Sequence, residues 1–334
     1  MSLPDAIEAR LRKMGLIPAG VPVTAERLTG GVSSDIWKVT AGAETFCVKR
    51  AMARLAVEQD WFAPVERNRY ERLWYATVDA RVPGFAPRVL AHDDEAMFFA
   101  MAWLDPAGYR LWKAELMAGR VDRDFAAIFA GKLAALHAAT AGDPEIEAAF
   151  PTGDLFEALR LEPYLRATGT RHPALGQRLN ALADRTAATR RALVHGDVSP
   201  KNIMIGPGKA PVLLDAECAW YGDPAFDIAF CVNHLLLKCL AAPQATGELI
   251  AAFDAFCAAY RAGVDWEPVA EVEGRAASLL PALLLARVDG KSPVEYVTDE
   301  ATRERVRRVA IPLVETAPAT LDAVRDAWKG EMTV

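Results

Sequence analysis

The stretch that decides the fold lies in the second half of the chain. Residues 193–205 read LVHGDVSPKNIMI, and residues 212–215 read VLLD. The apolar runs Leu193-Val194, Ile203-Met204-Ile205 and VLLD are typical of short buried strands, and the glycines and prolines of residues 206–211 predict a turn. The stretch therefore predicts a β-hairpin that is preceded by the polar loop HGDVSPKN.

Polar side chains flank this hairpin. In an antiparallel hairpin, the residue before the outgoing strand lies beside the residue after the returning strand, which predicts that Asn202 and Asp215 are neighbours. Glu217 follows two positions later, and Asp197 lies five residues before Asn202. Asp and Asn are also common turn residues. The whole arrangement of loop, hairpin and following aspartate is, however, much rarer than a single Asp or Asn in a turn. Hard oxygen ligands of this kind, few in number, suit Mg²⁺.

The order HGDVSPKN followed by LLD resembles the catalytic loop and metal-binding segment of the aminoglycoside phosphotransferase and choline kinase superfamily. The resemblance covers roughly residues 27–240. It implies a protein-kinase-like fold and an ATP-dependent kinase that transfers the γ-phosphate to a hydroxyl group of a small molecule. It also implies that Asp197 is the base that orients this hydroxyl, and that Asn202 and Asp215 hold Mg²⁺ on the ATP phosphates, with Glu217 as a further candidate ligand.

The first third of the chain reads as strands. Alternation over residues 35–40, the turn AGAE and the run Thr45–Lys49 predict a hairpin. By resemblance, Lys49 at the end of this run reaches the α- and β-phosphates of ATP. Residues in the place of the phosphate-covering loop are Gly30, Gly31 and Ser33.

Lys49 requires a glutamate partner on the helix that follows. Glu58, Glu66 and Glu71 all compete for this role, and Glu71 best matches the family's spacing, with Glu66 as the other strong candidate. The segment Met101-Ala102-Trp103 takes the place of the hinge that meets adenine, so Met101 and Trp103 are candidate ATP-binding residues. A plain buried strand is equally compatible with this segment.

A second motif supports the catalytic loop. Residues 220–229 read WYGDPAFDIA, and in the family the second aspartate of this pattern, here Asp227, accepts backbone N–H bonds from the loop. The resemblance therefore implies a structural role for Asp227. His195 is interpreted in the same way, as a scaffold of the loop.

The order of elements predicts an α+β, bilobal, protein-kinase-like fold. Residues 1–104 are predicted to form a nucleotide-binding lobe, an antiparallel sheet with one helix near residues 70–78. From Asp122, a plausible helix N-cap, the periodicity becomes helical, so residues 105–334 are predicted to form a mostly helical lobe with the catalytic loop and the acceptor site.

Composition excludes several other classes. The 334 residues carry a net charge of −6. The chain therefore has no excess of basic residues, and we predict no nucleic-acid partner. The five cysteines form no C-x-x-C pair, which indicates free thiols in a reducing compartment. The most apolar stretch, residues 276–286, is too short to span a membrane. We therefore predict a cytoplasmic protein with no membrane partner.

The acceptor remains open among an amino alcohol, a sugar and an aminoglycoside. The net negative charge favours a cationic acceptor, and the acidic excess of residues 244–334 predicts that they form the acceptor side. The D-x-E spacing of Asp215 and Glu217 resembles that of methylthioribose kinase.

Two alternatives from other classes are a catalytically inactive, kinase-like nucleotide-binding module and a metal-dependent hydrolase. Retention of Lys49, Asp197 and the two metal-site residues argues against the first. The hydrolase would need further His or carboxylate ligands, which the sequence does not show beyond His195.

Overall fold

The computed structural model describes residues 3–28, 34–52 and 64–333, which form two compact units. The first comprises Met1–Tyr109 with Leu214–Glu217, and the second comprises Arg110–Leu213 with Cys218–Val334. The first unit thus extends to Tyr109, five residues beyond the end of the predicted nucleotide-binding lobe. Residues 214–217 are grouped with the first unit, in which Asp215 and Glu217 pair with cations.

The first unit is built on a five-stranded antiparallel sheet of order β1-β2-β3-β5-β4. Its strands are β1 (Val23–Arg27), β2 (Ser34–Ala41), β3 (Glu44–Ala51), β4 (Val89–Asp93) and β5 (Phe98–Ala102). Strands β2 and β3 form the predicted hairpin, in which Ala41 pairs with Glu44. Gly42 begins the two-residue turn with φ 63°, a backbone angle that glycine adopts without strain.

Two helices complete the first unit where the sequence predicted one. They are α1 (Asp5–Lys13) and α2 (Arg67–Arg81). Ile7 and Leu11 lie on one face of α1 and join the buried core of the sheet. The short, highly charged sequence of α1 presents too few apolar positions to predict this packing.

The second unit is mostly helical. Its helices are α3 (Trp112–Met117), α4 (Arg123–Thr140), α5 (Pro144–Ala149), α6 (Gly153–Phe156), α7 (Ala167–Arg171), α8 (Pro173–Ala188), α9 (Pro224–Ala241), α10 (Thr246–Ala262), α11 (Val269–Asp289), α12 (Glu300–Thr316) and α13 (Leu321–Met332). A π-helix spans Glu157–Arg166, and short 3₁₀ turns span Pro200–Asn202, Pro207–Lys209 and Pro243–Ala245. The Asp122 side chain accepts hydrogen bonds from the first turn of α4, as its predicted N-cap role requires.

Two small sheets position the loops of the second unit. Strands β6 (Arg110–Leu111), β8 (Ile203–Ile205) and β9 (Pro211–Leu213) form one sheet, and β7 (Ala192–Val194) pairs with β10 (Trp220–Gly222) in the other. The predicted hairpin is present, but the returning strand β9 ends at Leu213, which pairs with Ile203. Asp215 therefore lies beyond the ladder, and its φ of 64° turns the chain away from extended geometry.

Helix α9 is the central helix of the second unit. Among the described residues it is the one helix long and apolar enough to cross a membrane, yet 89% of it is buried inside the protein. A buried core helix passes the same test, so this is weak evidence for a membrane span. The predicted apolar stretch at residues 276–286 lies within α11, as expected of a buried helix.

Candidate active site

A buried ion cluster forms in the first unit around Lys49. The Lys49 ammonium, at Nζ, donates to Glu71 Oε1 at 2.7 Å and to Asp215 Oδ1 at 2.5 Å. Lys49 lies on β3 and Glu71 on α2, and their side chains are 3% and 1% exposed. A buried cation with two carboxylate partners is a strongly held group, so the cluster fixes the position of the Lys49 ammonium.

The charge states of this cluster follow from burial and from the pairing. Burial alone lowers the pKa of Lys49, but the carboxylates of Asp215 and Glu71 outweigh it, so the net pKa is raised and Lys49 stays protonated. Burial raises the pKa of Glu71 to about 7, although the neighbouring Lys49 ammonium acts in the opposite direction.

Tyr75 ties Asp215 to the Lys49 cluster. Its hydroxyl donates to Glu71 Oε1 at 2.9 Å and accepts a hydrogen bond from the Asp215 backbone N–H at 2.7 Å. Glu71 and Tyr75 are four residues apart on α2, so their side chains share one face of the helix. Burial raises the pKa of Tyr75 well above its usual value, so the hydroxyl remains a donor. Sequence reasoning missed Tyr75, which contributes only an apolar position to the helical pattern.

Glu217 has a cation partner of its own. Arg67 Nε lies 3.1 Å from Glu217 Oε2, and the Arg67 side chain is 1% exposed. Arg67 also donates to the backbone oxygens of Pro64 at 2.9 Å and Met52 at 2.6 Å. The arginine was missed because it lies at the start of α2, where nothing in the local pattern distinguishes it from a surface residue.

The other predicted ATP-binding residues have different outcomes. Gly30, Gly31 and Ser33, like Glu58, lie outside the described residues. Met101 is in the interior strand β5, where it pairs with Cys47 and Val89. Trp103 follows the end of β5, and Lys38 Nζ lies 4.9 Å from the centroid of its ring. Glu66 is exposed and precedes α2.

On the sequence-based prediction that Lys49 contacts ATP phosphates, Lys49→Met is expected to weaken ATP–Mg²⁺ binding roughly 10- to 100-fold, because a charge-assisted contact to phosphate is worth about 1.5–3 kcal/mol. Glu71→Gln should cause a smaller loss, since Lys49 keeps Asp215 as a partner. Calorimetric titration with ATP–Mg²⁺ measures both effects. Glu66→Gln, an exposed change at the same helix, is the matched control, and a larger defect in this variant would contradict the assignment of Glu71.

The catalytic-loop sequence of the second unit is held by Asp227. Its two carboxylate oxygens accept the backbone N–H groups of His195 and Gly196, both at 2.8 Å. His195 Nδ1 in turn accepts the backbone N–H of Asp197 at 3.0 Å. Gly196 has φ 78°, and a Cβ there would lie 2.7 Å from the Cys218 carbonyl oxygen. The loop therefore requires glycine at this position.

A buried histidine extends this support into the helical core. His137 Nε2 lies 3.3 Å from Asp227 Oδ2, and His137 Nδ1 lies 2.6 Å from the Tyr260 hydroxyl. Asp227 is fully buried. Asp227, which holds the loop backbone, is thus itself contacted by His137 of α4, and His137 is in turn contacted by Tyr260 of α10.

Asp197 lies at the end of this network with cations beside it. Arg160 Nη2 and Lys201 Nζ lie 2.9 and 3.1 Å from Asp197 Oδ2. Arg160, which is on the π-helix, also donates to the Gly196 carbonyl oxygen at 2.5 Å. Asn202 Nδ2 donates to the Asp197 backbone oxygen at 3.0 Å. Arg160 was missed because its partners in the catalytic loop, Gly196 and Asp197, are 36 or more residues away in sequence.

A cavity of about 210 Å³ opens beside Asp197 within the second unit. Its walls come from the catalytic loop, α3, the π-helix, α9 and residues 287–296. The charged and polar residues among them are Lys113, Tyr164, Asp197, Ser199, Lys201, His234, Lys238, Arg287, Ser292, Glu295 and Tyr296. Residues 287–296, which lie in the acidic C-terminal part of the chain, thus contribute one wall of the cavity that contains Asp197.

Comparison with known proteins identifies the family. The phosphotransferase enzyme family, which includes the aminoglycoside phosphotransferases, matches residues 24–237, well over half of the chain. The protein belongs to this phosphotransferase family. The match includes Lys49, Asp197 and Asp215, and it confirms the predicted family resemblance.

The chain is similar to curated methylthioribose kinases. Methylthioribose kinases from Pectobacterium atrosepticum and Yersinia enterocolitica are both 27% identical to it, over 70% and 74% of this chain and 65% and 68% of theirs. The chain thus spans about two thirds of the length of the curated relatives it matches.

Solved structures show the fold. A choline kinase from Streptococcus pneumoniae (14% identity, 93% of this chain and 98% of that one, TM-score 0.51) and an ethanolamine kinase from Plasmodium vivax (13% identity, 93% and 80%, TM-score 0.50) are similar. The predicted α+β, kinase-like fold is confirmed.

Two carboxylates of the first unit suit a magnesium ion. Asp215 and Glu217 side chains are 29% and 15% exposed, so both carboxylates remain accessible. In the second unit, the Asn202 amide nitrogen donates to the Asp197 backbone oxygen, and the amide oxygen is a further acceptor. Among the described residues, no group of three or more His, Cys, Asp or Glu side chains forms a metal cage. Mg²⁺ is usually held by one or two carboxylates with substrate phosphates, and the two carboxylates of Asp215 and Glu217 in the first unit fit this requirement.

Proposed function

We propose that the protein is an ATP-dependent kinase that transfers the γ-phosphate of ATP to a hydroxyl group of a small molecule. The observation that carries the proposal is the buried Lys49–Glu71–Asp215 cluster, which presents one fixed ammonium group in a member of the phosphotransferase family. Phosphoryl transfer depends mainly on positioning and charge stabilisation, and a rigid cation supplies both.

In this proposal the first unit binds the nucleotide. Lys49 contacts the α- and β-phosphates, and Glu71 and Tyr75 are positioning residues that act through Lys49 and Asp215. Gly30, Gly31 and Ser33, which lie outside the described residues, are the residues proposed from the sequence for the phosphate-covering loop. Met101 and Trp103 are the proposed neighbours of adenine.

Mg²⁺ is the proposed cofactor. Asp215 and Asn202 are its proposed ligands, and Glu217 is a third candidate whose charge is balanced by Arg67. When bound, Mg²⁺ neutralises charge on the phosphate oxygens. Of the two carboxylates, Asp215 is the more exposed and is therefore the principal ligand in this proposal.

In the second unit, Asp197 is the proposed catalytic base. Its Oδ2 atom is fixed by Arg160 and Lys201, which orients the carboxylate toward the cavity. Asp197 would accept a hydrogen bond from the acceptor hydroxyl and take its proton as the new O–P bond forms and the bond between the γ-phosphorus and the bridging oxygen breaks, which releases ADP. Asp227 and His195 hold the backbone of this loop and serve as its structural support.

The names of the relatives suggest which classes of acceptor to test first. They act on methylthioribose, choline and ethanolamine, so a sugar or an amino alcohol is the starting proposal for this chain. We propose a cytoplasmic location, where ATP is available and the five free, buried cysteines stay reduced.

ATP–Mg²⁺ is expected to raise the thermal midpoint by several degrees, because a ligand at 100 times its Kd stabilises the folded state by about 2.7 kcal/mol. A panel of alcohols should then reveal phosphoryl transfer in a coupled ADP assay. Nucleotide binding without transfer to any alcohol would support the inactive module instead. Metal binding and hydrolysis without nucleotide stabilisation would support the hydrolase.

A further inference from the structure

The cavity beside Asp197 carries more positive than negative charge. Four cationic side chains line it, against two carboxylates. The cationic residues are Lys113, Lys201, Lys238 and Arg287, and the carboxylates are those of Asp197 and Glu295. This local balance is opposite in sign to the net charge of −6 of the whole chain.

Both carboxylates of the cavity are already paired. Glu295 Oε1 lies 2.5 Å from Lys113 Nζ, and Asp197 Oδ2 lies 3.1 Å from Lys201 Nζ. Asp197 also pairs with Arg160 from behind the loop. In the described part of the chain, the remaining two cations of the cavity, Lys238 and Arg287, therefore have no carboxylate within ion-pair distance.

Lys238 is the more unusual of these two cations. Its side chain comes from the core helix α9 and is 1% exposed. Its ammonium makes no hydrogen bond or ion pair with any described residue, and Nζ lies 4.4 Å from the centroid of the Tyr296 ring. Burial and the neighbouring Lys113 lower the pKa of Lys238 to about 8, although the Glu295 carboxylate, which is paired with Lys113, acts in the opposite direction. A buried ammonium without a counter-ion is unfavourable unless something else compensates it.

Other polar atoms converge on the same place. Arg287 Nη1 donates to the Tyr164 hydroxyl at 3.1 Å and to Ser292 Oγ at 3.0 Å, while its Nε is buried with no partner among the described residues. The Tyr296 hydroxyl is likewise buried and without a described partner. Burial, followed by the charges of Arg287 and Lys238, lowers the pKa of His234 well below its usual value, so this imidazole is neutral.

We infer that the acceptor carries an anionic group, a carboxylate or a phosphate, in addition to the hydroxyl that is phosphorylated. Lys238 and Arg287 would bind this anion, and Asp197 on the same cavity would meet the hydroxyl. The inference rests on the proposed kinase function and names its substrate class. It reverses the expectation of a cationic acceptor, which came from the net charge of the chain, because the charge that faces a ligand is that of the cavity wall.

The size of the cavity agrees with a small acceptor. Its volume of about 210 Å³ is below the ~300–1,000 Å³ of sites for drug-sized ligands. It holds the equivalent of about seven water molecules at ~30 Å³ each. Hydroxy acids and phosphorylated alcohols of a few carbon atoms fit this volume.

Calorimetric binding to the wild-type protein provides the first test. The anionic probes are glycerate and glycerol 3-phosphate, their neutral counterparts are glyceramide and glycerol, and choline is the cationic probe. The anionic probes are expected to bind at least about 10-fold more tightly than their counterparts, as charge-assisted hydrogen bonds predict. Equal affinities, no binding of either anion, or a preference for choline would each overturn the inference. Comparison of the affinities of glycerate and glycerol 3-phosphate shows whether the cavity prefers a carboxylate or a phosphate.

Lys238→Met provides the second test, with Lys209→Met as the matched control. Lys209 is an exposed lysine of the same unit whose partner is Asp122. Lys238→Met should reduce the preference for glycerate over glyceramide roughly 10- to 100-fold, and the control should leave it unchanged. The thermal midpoint should not fall, because the change removes an uncompensated buried charge. If the variant does not fold, Lys238→Gln replaces it, and the comparison of wild-type affinities stands regardless.

Failure of the inference and failure of the kinase proposal give different results. Phosphoryl transfer to neutral or cationic alcohols alone would overturn the inference and leave the kinase function intact. Absence of both ATP–Mg²⁺ binding and transfer would overturn the kinase function. An equal loss of kcat/KM for glycerate and glyceramide in Lys238→Met would show that this cation acts on the transferred phosphoryl group, and would overturn its assignment to the acceptor.

Discussion

Asp197→Asn is expected to lower kcat for phosphoryl transfer by about 10²–10⁴, because a positioned general base contributes a factor of this size. The amide keeps the shape of the side chain and can still accept a hydrogen bond from Arg160, but it cannot take the proton of the acceptor hydroxyl. ATP–Mg²⁺ affinity should change little, since the proposed nucleotide contacts lie elsewhere. Steady-state kinetics on the best acceptor and calorimetry with ATP–Mg²⁺ measure the two quantities separately.

The control for this prediction is Asp184→Asn. Asp184 is also a carboxylate of the second unit paired with an arginine, at 2.9 Å from Arg166, but its side chain is 70% exposed. The control should leave kcat unchanged. Thermal denaturation of both variants separates a chemical from a structural effect, because Asp197 partly neutralises the buried Arg160. Loss of nucleotide affinity equal to the loss of kcat in Asp197→Asn would contradict the assignment as a base.

The parts of the site that could be predicted from sequence are those encoded locally. The loop sequence His195-Gly196-Asp197 needs glycine because of its backbone angle and its contact with Cys218. The strands on either side of the loop are short apolar runs, and the Asp122 cap precedes a helical pattern. Each of these signals depends on neighbours within a few residues, so one sequence suffices to identify it.

The parts that could not be predicted depend on long-range packing. Arg67 meets Glu217 across 150 residues, and Lys49 meets Asp215 across 166. The sequence around Arg67 and Lys49 contains no periodicity or motif that would indicate either of these partners. Strand β9 ends at Leu213, two residues before Asp215, and Asp215 joins the cluster of the first unit through Lys49 and Tyr75, contacts that the hairpin pattern does not predict.

For the acceptor, the charge of the whole chain and the charge of the cavity point in opposite directions. The net charge of −6 favoured a cationic acceptor, and the acidic excess of residues 244–334 predicted that they form the acceptor side, yet these residues contribute Arg287 to the cavity as well as Glu295. Helix α9 adds Lys238, which a helical apolar pattern would place in the core without a function. Only the wall of the cavity acts strongly on a bound ligand, because exposed charges farther away are screened by water and salt.

Asp215→Asn is expected to lower Mg²⁺-dependent kcat/KM by roughly 10²–10⁴, which corresponds to losing several kcal/mol of charge stabilisation at the phosphates. Asparagine is the informative substitution because Asp215 has φ 64°, and Asn adopts this left-handed geometry readily. Asp215→Ala would add a backbone cost of about 1–2 kcal/mol, so its thermal midpoint should fall further. Titration of activity with Mg²⁺ should show a midpoint at higher concentration in Asp215→Asn.

Two further variants decide whether this effect belongs to the metal. Asp94→Asn, at a carboxylate 42% exposed and 3.2 Å from Arg72, should leave the Mg²⁺ titration unchanged. Glu217→Gln should shift it less than Asp215→Asn, because Arg67 already balances the Glu217 charge and the side chain is less exposed. A larger shift for Glu217→Gln would make Glu217 the principal ligand. In that case Asp215 would serve chiefly to fix the Lys49 ammonium, and its loss would weaken ATP binding with no change in the Mg²⁺ midpoint.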